Sequence, residues 1–416
     1  MRPDAIIKTL EDAGFEARYV GGCVRDTLLD RPIHDWDIAS QALPEDVLRL
    51  FPHCVPTGIR HGTVTVLLDG VSAEVTTYRL DGAYHDGRHP DGVRFVRSLA
   101  EDLARRDFTI NAMAMDESGA VTDLFGGRED LSRRVIRCVG EPETRFREDA
   151  LRMLRAYRFA AQLGFSLDAQ TQAAIRRCAP LCASLSRERV REEAEKTLLS
   201  DRPEYFGRML AEGLLGACIR AENADFSGLS ALPKTPEARW TAAKLRCPAF
   251  DPAAFRLPAK LCRLIELTAQ TWREGRTEAE WKRLIAEHGW ETAHLQADLQ
   301  RTDAVRQIGL RGDCVTLRQL AVTGADFPTL CGKDVGRMLH LLLVYALEHP
   351  DQNTKTQLLA AAQVEAIASL PSREELLAQI AGAISGVARG LAVALHGVPS
   401  GLAQVTKAVA DQKEAA

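Results

Sequence analysis

The amino-acid content changes near residue 140, and this change restricts the chain to folds that join two kinds of domain. Up to that point short β-branched runs (62–68, 73–78 and 93–96) alternate with helical patterns and Asp-Gly pairs. Runs of this kind, bounded by Asp-Gly turns, are typical of strands. Beyond residue 141 apolar residues recur every three or four positions between prolines, which predicts helices without strands. We therefore expect an α/β domain followed by an all-helical remainder.

Length and composition set the class of protein. The chain has 416 residues, 46% apolar and 26% charged, which is typical of a soluble protein of two to four domains and excludes disorder as a whole. The start lacks the apolar core of a signal peptide, and no run of about 20 apolar residues occurs. The ten cysteines are scattered singly, as in reduced intracellular proteins. We expect a cytoplasmic protein without a membrane span.

The net charge is −4, but the charge is unevenly distributed. Residues 131–191 contain 13 arginines, no lysine and six acidic residues. Guanidinium groups bind phosphate bidentately, so an excess made only of arginine suits phosphate contacts. A solvated helix face with salt bridges explains the same charges equally well.

A glycine pair follows the first predicted strand. Gly21 and Gly22 stand between residues 17–20 and a helix that is expected to start near Val24. Glycines let backbone N–H groups approach an anion closely at a helix N-terminus, and Arg25 in the first turn could touch the same anion. Alone, the pattern is more often a structural turn.

Two aspartates follow 13 residues later. If the segment 34–38 is extended, Asp35 and Asp37 point to the same face. Two carboxylates so close repel each other unless a cation joins them, and Mg²⁺ binds one or two carboxylates together with substrate phosphates. Glu74, on another predicted strand, is either a third carboxylate of this site or an ordinary edge-strand residue.

Arginines in two further segments could contact a nucleotide. Residues 105–107 (RRD) lead into an apolar run, which places Arg106 at the mouth of a core. Asp149 and Arg152 are three apart in a predicted helix, where they are either a base-reading acceptor and donor or a simple ion pair. Arg155 and Arg158 continue the series, but helical drift carries them away from Asp149, toward phosphate, ribose or protein.

Taken together, these motifs resemble those of the bacterial-type (class II) tRNA nucleotidyltransferases, the CCA-adding enzymes of the polymerase-β superfamily. The matching segments are GGCVRD (21–26), DWD (35–37), RRD (105–107) and EDALR (148–152). The resemblance implies a catalytic head with a polymerase-β-like sheet (1–138), then an all-α neck (139–200), body (201–270) and tRNA-binding tail (271–416).

The resemblance also implies a role for each site residue. Asp35 and Asp37 would be catalytic and hold Mg²⁺, while Gly22, Arg25 and Arg106 would hold a triphosphate. Asp149 and Arg152 would select the base, with Arg155 and Arg158 completing the nucleotide pocket. The substrates implied are CTP, ATP and the 3′ end of tRNA. The nucleotides would be added to that end without a template.

Other readings remain open. Bacterial poly(A) polymerases share most of these motifs, although residues 58–66 look like the CCA-adding version of their strand. Residues 84–91 resemble the loop needed to add A, which argues against a CC-only enzyme but not an A-only enzyme. An inactive RNA-binding relative would be expected to lack Asp35 or Asp37. The apolar, glycine-broken stretch 380–397 predicts a loosely packed terminal helix in preference to a surface helix, and the oligomeric state is either monomer or homodimer.

Overall fold

The computed structural model describes residues 2–68, 70–81, 93–219 and 224–368. Their strands are β1 (Ala17–Val20), β2 (Trp36–Ser40), β3 (Cys54–Gly58), β4 (Thr63–Leu68), β5 (Val71–Thr77), β6 (Arg79–Asp81), β7 (Val93–Phe95), β8 (Met113–Met115), β9 (Val121–Asp123), β10 (Val135–Ile136) and β11 (Ser166–Leu167). Seven strands form one sheet in the order β3-β4-β5-β2-β1-β8-β9, which is antiparallel apart from the β2–β5 pair.

The described residues also contain sixteen α-helices. They are α1 (Asp4–Asp12), α2 (Gly22–Leu28), α3 (Pro44–Leu50), α4 (Leu99–Ala104), α5 (Gly127–Arg133), α6 (Pro142–Glu148), α7 (Leu151–Leu163), α8 (Ala169–Cys178), α9 (Arg187–Leu198), α10 (Tyr205–Ala211), α11 (Pro236–Arg246), α12 (Ala259–Gln270), α13 (Glu278–Gln300), α14 (Ala304–Arg311), α15 (Lys333–Glu348) and α16 (Lys355–Ala368). The predicted fold class, an α/β head followed by a helical remainder, is confirmed. Within the described residues, no helix combines the length and the apolar character that crossing a membrane requires.

The register of the central strands positions the glycine pair. β1 and β2 are antiparallel neighbours, with Tyr19 opposite Ile38. Continuing that register places Gly21 opposite Trp36, so the end of β1 and the start of β2 lie at the same end of the two strands. The rings of Tyr19 and Trp36 pack 5.1 Å apart at this end. The glycine pair and the aspartate pair, which are separate in the sequence, are therefore neighbours in the fold.

Helix α7 brings the neck against the head. Its apolar face is buried, and Phe159 packs edge-on against Phe108 of the head at 5.8 Å between ring centroids. The helix ends at Gly164, whose φ of 73° is left-handed and whose N–H bonds to the carbonyl of Ala160. This cap ends α7 at Leu163, after Arg152, Arg155 and Arg158.

One expectation about the neck is wrong. Strands do not vanish after residue 141, because β11 pairs in parallel with β10. Each of the two strands has only two residues, too few for a period-two pattern to be visible in the sequence. The short ladder ties the chain leaving α7 to the last strand of the head.

The chain divides into two compact units, Met1–Thr277 with His288–Gln307, and Glu278–Glu287 with the chain from Ile308 onward. In the first unit the aromatic residues Phe206, Trp240, Phe250 and Phe255 form a cluster with ring separations of 5.2 to 6.4 Å. In the second unit α15 packs on α16. The boundaries proposed for neck, body and tail stay predictions. The segments 84–91 and 380–397 lie outside the described residues.

Candidate active site

All nine residues selected from the sequence line one cleft of about 760 Å³ in the first unit. They are Gly22, Arg25, Asp35, Asp37, Arg106, Asp149, Arg152, Arg155 and Arg158. Further lining residues that were not selected include Gly21, His61, Arg79, Arg105, Asp107, Asn111, Phe159 and Arg189. The cleft is therefore built by β1, β2 and the 105–111 segment of the head together with α7 and α9 of the neck.

The glycine turn lies directly over the acidic pair. Gly21 has a φ of 74°, and a Cβ added to it would lie 3.0 Å from Nη1 of Arg106 and 3.4 Å from Oδ2 of Asp37. A side chain here would be strained and would also press on both groups. Gly21 thus keeps the approach to Asp37 open, a role that the sequence analysis did not assign.

The acidic pair is electrostatically costly. Burial raises the pKa of Asp37 from 3.8 to about 6; Arg106 opposes this, while the nearby carboxylates of Glu74 and Asp35 add to it. Glu74 is exposed on β5 and stands in register with Asp37 across the parallel pair. A partly buried carboxylate with like charges beside it favours a bound cation.

The carboxylates fit a magnesium ion in part. Among the described residues, no three His, Cys, Asp or Glu side chains are grouped so that they could hold a metal. Asp35 and Asp37 form a pair, and Mg²⁺ binds to one or two carboxylates, completing its shell with water and substrate phosphates. The donor set therefore suits an ion that arrives with a phosphate ligand, and Glu74 does not form a group of three with this pair among the described residues.

The two head arginines are fixed by different partners. Arg25 forms a two-bond pair with Asp26 at 2.9 and 2.8 Å and donates to Oδ1 of Asn111 at 2.8 Å. Arg106 donates to the buried carboxylate of Asp102 at 3.2 Å. Long side chains held this way lose their rotamer freedom before any ligand binds, so less conformational entropy is lost when they bind an anion.

Asp107 was not selected from the sequence, yet it joins head to neck. Its Oδ2 accepts hydrogen bonds from Nε of Arg155 at 2.7 Å and pairs with Nη2 at 2.6 Å. Its Oδ1 accepts from the backbone N–H of Phe108 at 2.8 Å. Burial alone would raise the pKa of Asp107, but Arg155, with help from Arg152 and the Phe108 N–H, lowers it to about 2.

This pairing predicts a pH-dependent contribution to stability. The carboxyl pKa is lower in the folded than in the unfolded protein, so the contribution is complete above about pH 4 and is lost as pH falls toward 2. We expect Asp107→Asn to lower the free energy of unfolding by about 2–3 kcal/mol at pH 6. At pH 3 the difference in free energy of unfolding between the two proteins should be about half as large. Urea unfolding of both proteins across this range measures it, and a gap that stays constant contradicts the account.

The predicted base-reading pair is not arranged as the sequence suggested. Helix α6 ends at Glu148, Asp149 has extended backbone angles, and α7 starts at Leu151, so Asp149 and Arg152 do not share a helix. Asp149 accepts from the N–H of Leu151, the first residue of α7, at 3.0 Å and pairs with Arg189 at 2.8 Å. Arg152 pairs instead with Glu148 at 2.7 Å. Both side chains nevertheless line the cleft, next to each other but not bonded as an ion pair.

Arg158 also has a distant partner. Its Nε lies 2.5 Å from Oε2 of Glu193 on α9, and Glu193 is only 5% exposed. Arg189 and Glu193, four residues apart on α9, therefore hold Asp149 and Arg158 of the neck. The only sequence signal for this was the density of charge in residues 187–193, which did not indicate which charges pair.

Comparison with known proteins gives three family matches. Residues 17–137 match the Poly A polymerase head domain, and residues 164–218 match the probable RNA and SrmB-binding site of polymerase A. Residues 370–416, outside the described residues, match the ribosomal protein uL10 C-terminal region.

Individual relatives agree with the first two matches. CCA-adding enzymes of Leuconostoc mesenteroides and Geobacillus stearothermophilus are 60% and 58% identical over 194 and 193 residues, or 47% and 46% of this chain and 48% of each relative. The chain thus spans about half the length of these relatives. The crystal structure of the Bacillus stearothermophilus CCA-adding enzyme in complex with CTP is 34% identical, covers 88% of this chain and 99% of its own, and superimposes with a TM-score of 0.73.

The mixed sheet and the cleft lined by aspartates and arginines give the chain a head with the fold of the polymerase-β-type nucleotidyltransferases. The structural match at 34% identity extends that likeness through the helical remainder. The chain belongs to the family of CCA-adding enzymes.

Proposed function

We propose that the protein adds the nucleotides C, C and A, one at a time, to the 3′ end of tRNA in the cytoplasm. In each step the tRNA 3′-hydroxyl attacks the α-phosphate of CTP or ATP, and pyrophosphate leaves. The observation that carries the proposal is the cleft itself, whose walls bring together the carboxylates of Asp35 and Asp37, several arginines, and the neighbouring side chains of Asp149 and Arg152. Family membership and the RNA-binding match at residues 164–218 support tRNA as the acceptor.

The head residues would hold the reacting phosphates. The N–H of Gly22 and the guanidinium groups of Arg25 and Arg106 would bind the triphosphate, because they face the cleft beside the acidic pair. Asp35 and Asp37 would hold a divalent metal, for which we propose Mg²⁺. When bound, this ion would lower the pKa of the attacking hydroxyl and neutralise charge on the phosphates.

The neck residues would choose the base. Cytosine and adenine both offer an amino group beside a ring nitrogen, so the Asp149 carboxylate would accept from the amino group while Arg152 would donate to the ring nitrogen. Uracil and guanine present a carbonyl in place of that amino group, and a carboxylate repels it. The ion pair with Arg189 holds the Asp149 side chain in place, and a carboxylate only accepts hydrogen bonds. Arg155 and Arg158 would complete the pocket on the phosphate and ribose side.

A direct test uses three tRNAs, ending before CCA, after C and after CC, each incubated with one labelled nucleotide at a time. We expect C on the first two, A on the third, and no incorporation of U or G. Asp35→Asn serves as the inactive control. Addition of A alone to the CC-ending tRNA identifies an A-adding enzyme, and long runs of A identify a poly(A) polymerase. Absence of all incorporation supports the inactive RNA-binding alternative and contradicts the proposal.

A further inference from the structure

Three arginines of the cleft surround a single phenyl ring. The guanidinium carbon of Arg158 lies 4.1 Å from the ring centroid of Phe159, and those of Arg25 and Arg155 each lie 5.3 Å from it. Arg25 belongs to α2 of the head, while the other two belong to α7 of the neck. Phe159 is 6% exposed and lines the cleft. One ring therefore contacts positive charge from both sides of the proposed nucleotide site.

The ring contacts and the ion pairs use different parts of each guanidinium. Asp26, Asp107 and Glu193 accept N–H groups at the guanidinium edges of Arg25, Arg155 and Arg158, respectively. The negative face of an aromatic ring attracts the cation itself. A guanidinium fixed at one edge by a carboxylate and held by a ring as well has little freedom to rotate. Its remaining N–H groups then point in a set direction.

Those remaining N–H groups are the ones available to an anion. Within the described residues, Nη1 of Arg155 and Nη2 of Arg158 make neither a hydrogen bond nor an ion-pair contact, whereas the other nitrogens of both groups contact carboxylate or amide oxygens. Three like charges around one ring would otherwise repel one another and spread apart when the cleft is empty. Burial lowers the pKa of Arg158, which shows that this guanidinium is costly to keep charged at this place.

We infer that Phe159 is a positioning residue whose ring holds Arg25, Arg155 and Arg158 in the arrangement that receives the nucleotide polyphosphate. The inference rests on the proposed function, since it assigns the polyphosphate as the ligand of these three arginines. It gives Phe159 a role beyond filling the head–neck core. The attraction between the Phe159 ring and the guanidinium groups depends on the electron density of the ring face. Van der Waals packing of the ring does not depend on that density.

Fluorination separates these two roles, because fluorine withdraws density from the ring face and changes ring size little. Mono-, di- and trifluorophenylalanine are placed at position 159, and the same series at Phe146, a fully buried phenylalanine of α6, is the control. The probe is inorganic tripolyphosphate without metal, titrated by calorimetry, followed by KM and kcat for CTP and ATP. We expect the dissociation constant and KM to rise stepwise to about tenfold at position 159, with kcat changed less than about threefold. At position 146 both should stay unchanged.

Phe159→Leu provides a second variant, which keeps an apolar side chain of somewhat smaller volume and removes the ring face. It should match or exceed the trifluoro protein in its loss of tripolyphosphate affinity. A flat fluorine series at position 159 overturns the inference, even if Phe159→Leu is impaired or fails to fold. A wild-type protein that binds tripolyphosphate but adds no nucleotide contradicts the proposed function and leaves the Phe159 result to be judged by binding alone. A wild-type protein that does neither overturns both.

Discussion

Asp37→Asn should lower the rate of nucleotide addition roughly a thousandfold, the scale on which enzymes lose rate when a charge that stabilises the transition state is removed. Asp35→Asn should have a similar effect. Affinity for tRNA should stay within about twofold, because neither carboxylate is needed for the phosphate contacts of an RNA backbone. Single-turnover incorporation of labelled CTP and filter binding of tRNA measure the two quantities.

Loss of folding would not explain such a result. The pKa of Asp37 is raised by burial to about 6, so its charged form is a burden on the folded protein above that pH. Without metal, Asp37→Asn should therefore melt at or above the wild-type temperature at pH 7.5. Glu74→Gln on the neighbouring strand is the matched control and should cost less than about tenfold. A loss for Glu74→Gln as large as that for Asp37→Asn would make Glu74 a third metal ligand, and substantial turnover by Asp37→Asn would contradict the metal role.

Asp149→Ala should lower the preference for CTP over UTP, measured as the ratio of kcat/KM values, by roughly a hundredfold or more. Sites that read a hydrogen-bonding group discriminate strongly, because the wrong partner leaves a buried polar group unpaired. The variant removes the group that repels a carbonyl, so UTP gains as CTP loses. Dependence of the residual reaction on Mg²⁺ should not change, because Asp35 and Asp37 remain.

Arg189→Gln is the control for this second prediction. It removes the ion-pair partner of Asp149 at 2.8 Å and retains the carboxylate. Its preference for CTP should fall by less than that of Asp149→Ala. An Asp149→Ala protein with an undiminished preference for CTP would show that the base is chosen elsewhere in the cleft.

The residues of the head site were predictable because their chemistry is local. A glycine pair after a strand and two aspartates at alternate positions are each complete within a few residues of sequence. The β1–β2 register brings the two motifs together. The neck was harder. Residues 148–151 (Glu-Asp-Ala-Leu) contain no proline or glycine, so no helix breaker marks the break between α6 and α7 in the sequence. At this break Asp149 accepts from the N–H of Leu151 and pairs with a residue 40 positions later.

The partners of the arginines were equally hidden. Arg25 bonds to a residue 86 positions away, Arg155 to one 48 positions away and Arg158 to one 35 positions away. Composition shows that charge accumulates in the neck but not which charges meet, because pairing is decided by helix packing. Asp107, Arg189, Glu193 and Phe159 were therefore missed as parts of the site. The terminal helix predicted for 380–397 stays a prediction.

A crystal structure of the protein with CTP, and a second with ATP, tests the central claim most directly. The account predicts the triphosphate between Asp37 and Arg25, and the exocyclic amino group of each base within hydrogen-bond distance of Asp149, with Arg152 at the ring nitrogen. A nucleotide bound with its base turned away from Asp149 and Arg152, or with its phosphates outside the reach of Asp35 and Asp37, would contradict it.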